Sequence, residues 1–218
     1  MDEGRGICVF LAGKAGEVLG NYFQRRLKIV LLILVLFLLG IVLGAIGART
    51  LGQKQVDEVA GYLETFFQGF SSKGVERGEV LRGSLATNLK TLLIILALGV
   101  SAYGIWGIVL VVFLRGFVVG FTVGFLVREM ALRGLFFALV AVLPQNLFII
   151  PALLLAAIVC YAFGLSMWRT RFQDPDARYS FGGTVLLTFT AGMILLVGSA
   201  VEAYLTPLLV GLFSGKLF

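Results

Sequence analysis

The chain alternates long apolar runs with short polar segments that are rich in arginine and lysine. The first run, Ile29–Ala48, carries no charge and has a basic residue on each side, Lys28 and Arg49. At about 1.5 Å per residue a helix over this run is about 30 Å long. That length equals the thickness of one hydrocarbon core, so the run predicts a first membrane-spanning helix.

The next apolar run, Thr91–Val127, is too long for one crossing, because it makes about 55 Å of helix. Its segment 103–107 contains two glycines, Tyr103 and Trp106, which favour a turn at the headgroup boundary. We therefore predict span two at Asn88–Ala102 and span three at Gly107–Val127. This division leaves Arg115 inside the membrane.

Two further runs complete the pattern. Gly134–Trp168 predicts span four, kinked or partly unwound at the helix-breaking residues Pro144 and Pro151, since each proline removes a backbone donor. Tyr179–Val201 predicts span five, after which residues 203–215 either continue the helix or fold back along the interface. The predicted fold class is all-α: a polytopic membrane helix bundle with about five transmembrane helices.

The distribution of basic residues predicts the domains and their orientation. Residues 1–28 form a predicted cytoplasmic segment because Arg25, Arg26 and Lys28 precede span one, and residues 29–218 form a single membrane domain. Residues 49–90 then form an extracytoplasmic loop, although the segments on that side hold as many bases, diluted by acids.

The loop itself contains an amphipathic pattern of helical spacing. Such a helix either lies on the membrane or the bundle, or docks a partner protein. The candidate docking residues on its apolar face are Leu63, Phe66, Phe67 and Phe70.

Composition narrows the functional classes. Hydrophobic residues make up 59% of the chain, charged residues 14%, and the mean hydropathy is +1.01, values that exclude a soluble domain. The net charge is +6, but the bases flank apolar runs, which is typical of contact with the lipid bilayer rather than with nucleic acid. Histidine is absent and Cys8 and Cys160 lie far apart, so we predict no enzyme, cofactor or metal site.

Glycines recur every four residues in two of the spans. Such ladders let helix backbones approach closely in lipid. They serve either packing within one chain or contact with a second copy in a homo-oligomer. We expect Gly120→Leu to disrupt folding or assembly, and Gly104→Leu in the predicted turn to be milder. The helix-packing residues are Gly40 and Gly44 in span one, and Gly116, Gly120 and Gly124 in span three.

Arg115 is the most costly intramembrane residue, at about 3 kcal/mol on insertion scales unless it is paired or snorkels to the inner headgroups. Glu202 is the obvious partner by charge, but it lies near the opposite end of its span. Pairing of Glu202 with Lys90, Arg128 or Arg133 is an equal alternative.

Two further polar residues, Gln145 and Asn146, follow Pro144 directly. Their amides either satisfy carbonyl groups near the proline, as membrane helices require, or line a substrate or ion site of the kind found in transporters.

Four motifs carry a family resemblance: Asn88–Lys90, Leu114–Leu126, Pro144–Pro151 and Glu202–Pro207. Over nearly its whole length the chain resembles the stage II sporulation protein M family, integral membrane proteins of endospore-forming bacteria. Gln145-Asn146 and Ile150 match the sporulation branch of this family rather than its transporter-like relatives.

The resemblance implies a non-enzymatic scaffold in the mother-cell membrane at the sporulation septum. Its implied partners are stage II sporulation proteins D and P, cell-wall hydrolases that thin septal peptidoglycan during engulfment. A membrane subunit of a transporter or permease is the alternative function, and a structural anchor without a partner is a third.

Overall fold

The computed structural model describes residues 27–56, 61, 77–101, 103–170 and 180–217. Within these ranges every long element is helical, and five helices contain a stretch long and apolar enough to cross a membrane. The predicted all-α membrane bundle with five spans is therefore confirmed. The helices are α1 (Leu27–Thr50), α2 (Arg77–Val100), α3 (Gly104–Ala141), α4 (Leu143–Thr170) and α5 (Ser180–Leu217).

The two ends of the bundle can be named after α1, which runs from the Lys28 end to the Thr50 end. α2 runs back toward the Lys28 end and passes into α3 through a tight turn, where the Gly104 N–H donates to the Ser101 carbonyl (3.0 Å). A Cβ on Gly104 would overlap the Leu98 carbonyl oxygen, which is backbone and cannot move aside. Gly104 is thus as constrained as the packing glycines, and this contact argues against a milder effect of Gly104→Leu.

The start of α2 differs from the prediction. The helix begins at Arg77 and its membrane-competent part at Leu81, so span two does not start at Asn88, and residues 77–90 are helix rather than loop. Polar side chains interrupt the apolar pattern here, but Ser84 and Asn88 are buried inside the bundle. A window of mean hydropathy does not distinguish polar residues that face the protein from those that face lipid.

The chain bends back sharply at Ala131, within the range assigned to α3. Ala131 has φ 50° and ψ −128°, the one non-helical residue in that range. After the bend, Gly134 comes against the Leu126 carbonyl oxygen, eight residues earlier in the chain. The Val142 N–H donates to the Ala138 carbonyl (2.9 Å), so residues 132–141 lead directly into α4.

The two prolines behave differently from each other. Pro144 lies in the first turn of α4, where the missing N–H would have no helical partner in any case. Pro151 lies inside α4, which continues through it, so the predicted helix break at Pro151 is wrong. α4 is the central and most buried helix, and the neighbours that surround Ala152 and Ala156 (both 0% exposed) hold it in place across the lost hydrogen bond.

α5 is a single helix from Ser180 to Leu217. Of the two alternatives for residues 203–215, the structure therefore has the helix continuing beyond Glu202.

Candidate functional site: an intramembrane polar network

Five polar side chains from three helices meet inside the bundle. α2 contributes Ser84 and Asn88, α3 contributes Arg115, and α5 contributes Ser199 and Glu202. Asn88 is 3% exposed and Ser199 0%, in surroundings that are otherwise apolar. A buried polar group is stable in such a place only when it is hydrogen-bonded.

The hydrogen bonds form a continuous chain between two opposite charges. The Arg115 Nη2 donates to Asn88 Oδ1 (3.2 Å), and Asn88 Nδ2 donates to the hydroxyl oxygens of Ser199 (3.2 Å) and Ser84 (3.3 Å). The Ser84 hydroxyl in turn donates to the Glu202 carboxylate. The network thus connects a guanidinium to a carboxylate through neutral side chains.

This arrangement accounts for the depth difference between the two charges. Ser84 and Asn88 lie one helical turn apart on α2, which is about 6 Å along the axis, and together they bridge from Arg115 to Glu202. The carboxylate also attracts the guanidinium electrostatically. Of the alternatives left open by the sequence, Arg115 is bound inside the bundle rather than extended to the headgroups.

Glu202 does not use the other basic residues considered for it. Among the residues that the structure describes, its hydrogen-bond partner is Ser84, and it forms no ion pair with Lys90, Arg128 or Arg133. The expectation of such a pair is therefore not met.

One donor of Arg115 is left over. Its Nε is buried and has no hydrogen-bond partner in the part of the chain that the structure describes. Arg115 also lines a small cavity together with mostly apolar residues, including Ile95, Val112 and Leu153. The guanidinium is therefore held by Asn88 through Nη2, while its Nε makes no hydrogen bond to the described residues.

The packing glycines lie where α1 and α3 touch. Residue numbers rise together along the contact, so the two helices are parallel, and a Cβ on any ladder glycine would meet the backbone of the other helix. Gly40 meets the carbonyl of Phe113, Gly44 that of Phe117, Gly116 that of Phe37, Gly120 that of Ile41, and Gly124 the Ala45 Cα at 2.9 Å. Both ladders are thus used for packing within one chain.

A row of four phenylalanines runs along α3 beside this contact, with successive ring centroids 6.1 to 6.4 Å apart. Phe117 reaches the Gly47 position of α1, and Phe125 is 3% exposed. This row was not predicted, although its four-residue spacing beside the glycines is visible in the sequence. The residues are Phe113, Phe117, Phe121 and Phe125.

Asn146 serves the backbone at the start of α4. Its Nδ2 donates to the Val142 carbonyl oxygen (2.8 Å), which also accepts from the Asn146 N–H (3.4 Å). Gln145 lies half-buried beside it in the same first turn. For Asn146 the structure therefore shows the backbone-satisfying role that was one of the two alternatives.

Sequence reasoning missed Ser84, Asn88 and Ser199 as members of the network. The available signal was their spacing, because Ser84 and Asn88 are four residues apart and Ser199 precedes Glu202 by three, so each pair shares a helix face. The predicted docking residues Leu63, Phe66, Phe67 and Phe70 lie outside the described residues.

A family model, Stage II sporulation protein M, matches residues 33–207. The chain belongs to this family. Every member of the polar network and both glycine ladders fall within the matched range, which covers most of the chain. With its five membrane-competent helices, this member of the stage II sporulation protein M family is a multi-pass membrane protein of sporulation. Comparisons with curated proteins and with solved structures give no match.

Proposed function

We propose that this protein is a non-enzymatic scaffold of endospore engulfment. It recruits peptidoglycan-degrading proteins, of the kind of stage II sporulation proteins D and P, and holds them at the mother-cell membrane of the septum. Membership of the family supports this role.

The observation that carries the proposal is that the intramembrane polar residues bind one another. Arg115 is bound to Asn88, and the chain of hydrogen bonds continues to Glu202. Asn146 is bound to the backbone of its own helix. Groups engaged in this way hold helices together, which is the requirement of a rigid platform for other proteins.

The transporter alternative rested on Arg115 and on a helix broken at membrane depth. Arg115 has a structural partner, and α4 is continuous through Pro151. Neither feature now favours transport over a scaffold.

We further propose that the Thr50 end of the bundle faces the wall and the Lys28 end the cytoplasm, with residues 57–76 on the wall side. The basic residues Arg25, Arg26 and Lys28 support this orientation. It places the candidate docking residues Leu63, Phe66, Phe67 and Phe70 on the same side as septal peptidoglycan.

The experiment replaces Phe66 and Phe67 with serine and follows fluorescently tagged hydrolases in sporulating cells. Large apolar side chains at an interface cost about 2 kcal/mol or more when truncated. We expect the double variant to accumulate in the membrane at the normal level but to lose the hydrolases from the septum. Phe136→Ser is the matched control, since that ring is 64% exposed on the bundle and outside the loop.

Two outcomes would count against the proposal at different levels. Hydrolases that reach the septum in cells without this protein would contradict the scaffold role itself. Normal localisation in the double variant alone would move the contact to the Thr50 end of the bundle, near Arg128, Arg133 and Glu202.

A further inference from the structure

Arg128, near the end of α3, binds the C-terminus of α1. Its Nη1 lies 2.9 Å from the carbonyl oxygen of Ala48, 3.1 Å from that of Arg49 and 3.0 Å from that of Leu51. The last carbonyl groups of a helix have no partner within the helix, and a cation there also meets the negative end of the helix dipole. Arg128 therefore donates, from one side chain, the hydrogen bonds to the last carbonyl groups that backbone N–H groups donate in a glycine cap.

The chain just after α1 is ordered by its own hydrogen bonds. The N–H groups of Gln55 and Val56 donate to the Gly52 carbonyl (3.0 and 3.1 Å), and the Gly52 N–H donates to Gln55 Oε1 (3.1 Å). Residues 53–56 consequently form a short helical turn directly after the capped end of α1.

Val56 closes this junction by burying its side chain. It is 2% exposed and packs against Ala48 of α1 and Phe125 of α3, with Leu51 and Phe121 beside them. The chain after α1 is thus attached twice to the Thr50 end, by Arg128 through the backbone and by Val56 through the core.

We infer that Arg128 is a positioning residue of the scaffold. Together with the Val56 contact it forms a mount, residues 51–56 held on α1 and α3, that fixes the position of Val56, after which the chain continues to the candidate docking residues. Fixing that point limits the positions open to the docking segment before it binds. Fewer positions are then lost when it binds a partner, which lowers the entropic cost of binding. The functional part of this inference rests on the proposed scaffold function.

The mount can be tested without any hydrolase, on purified protein in detergent. A Val56→Cys reporter in a Cys8→Ser background has one other thiol, Cys160, which is 0% exposed. In the otherwise natural chain the reporter is buried, so we expect slow labelling by a maleimide. Arg128→Gln should raise the labelling rate about tenfold, as expected from the loss of charge-assisted hydrogen bonds.

The matched control is Arg133→Gln at the same end of the bundle. Arg133 is exposed and has no hydrogen-bond or ion-pair partner among the described residues, so its replacement should leave the labelling rate unchanged. Arg128→Lys keeps the cation without the planar guanidinium and should give an intermediate rate. It also serves as the variant to measure if Arg128→Gln does not accumulate. Equal labelling rates in all variants would refute the inference that Arg128 holds residues 51–56 on the bundle.

The role in function has its own measurement in sporulating cells. Arg128→Gln should keep the normal membrane level and reduce septal hydrolase signal about tenfold, in step with the labelling rate. Faster labelling with full hydrolase recruitment would overturn the positioning role. Hydrolases that reach the septum in cells without the protein would instead refute the scaffold function. The labelling result would remain valid in that case, so the two failures are distinguishable.

Discussion

At the scale of single residues, Arg115 shows how this bundle accommodates a charge in lipid. The opposite charge, Glu202, lies at a different depth in the bundle. Neutral side chains of α2 connect the two charged groups by hydrogen bonds. The arrangement gives each charged group a hydrogen-bond partner without bringing the charges into direct contact. It also makes the stability contributions of Arg115 and Glu202 depend on each other.

That dependence gives a first prediction, a double-mutant cycle with Arg115→Met and Glu202→Gln. Each single change leaves the other charge without compensation, whereas the double change removes both. We expect the double variant to be more stable than the sum of the singles predicts, by about 1–3 kcal/mol. The free energy of unfolding is measured by SDS titration in mixed micelles.

Lys90→Met is the control for this cycle. Lys90 is an exposed base on α2 near Asn88, with no hydrogen-bond or ion-pair partner among the described residues, so its loss should change stability by about 0.5 kcal/mol or less. Strictly additive effects of Arg115→Met and Glu202→Gln would show that the network does not couple the charges.

A second prediction at this scale concerns Ala131. Its φ of 50° and ψ of −128° lie close to the first central position of a type II′ turn, which glycine favours. Ala131→Gly should therefore raise the free energy of unfolding by about 1 kcal/mol. At the exposed helical position Ala86 the same change should lower it by about 0.5–1 kcal/mol. Lowered stability in both variants would argue against the bend at Ala131.

At the scale of elements, α1 and α3 form one parallel pair whose contact consists largely of backbone. Glycine provides this contact because any side chain would separate the helices, and in lipid close approach is a main source of association. The phenylalanine row beside the glycines then fills the space that the small residues leave.

The third prediction compares two glycine-to-alanine changes in helices. At Gly120 an added Cβ would overlap the Ile41 backbone, so Gly120→Ala should lower the free energy of unfolding by about 2 kcal/mol. At Gly83 nothing lies within 4 Å, and the same change should raise it by about 0.5–1 kcal/mol through helix propensity. Equal effects at the two positions, measured by SDS titration, would refute the close contact.

Element by element, the sequence predicted what depends on local pattern. Hydropathy located all five helices, and the glycine spacing identified one packing face on α1 and one on α3, but not that these two faces contact each other. Hydropathy placed the start of α2 too late, because Ser84 and Asn88 are polar yet buried. Whether a polar residue faces the protein or the lipid depends on the neighbouring helices. A helix break is predicted at Pro151 because proline lacks the N–H that a helix requires. Packing around α4 nevertheless maintains the helix at this residue.

At the scale of the whole molecule, the bundle has a buried axis and two attached units. α4 forms the axis, the α1–α3 pair packs along it, and the polar network joins α2, α3 and α5 toward the Thr50 end. The mount at Arg128 belongs to that same end. The polar network and the mount thus both lie toward the Thr50 end, which is the end that the proposed function assigns to the wall.

The fourth prediction tests that assignment directly, by labelling single cysteines with a membrane-impermeant thiol reagent in intact cells. Ser72→Cys lies between α1 and α2, and Ala177→Cys between α4 and α5, so the two sites lie on opposite sides of a five-span bundle. In a Cys8→Ser background we expect position 72 to be labelled and position 177 to react only after the cells are opened. Cys160 stays silent because it is fully buried. Labelling of position 177 in intact cells, with position 72 protected, would invert the bundle, place the Arg128 mount in the cytoplasm and remove the docking segment from the wall.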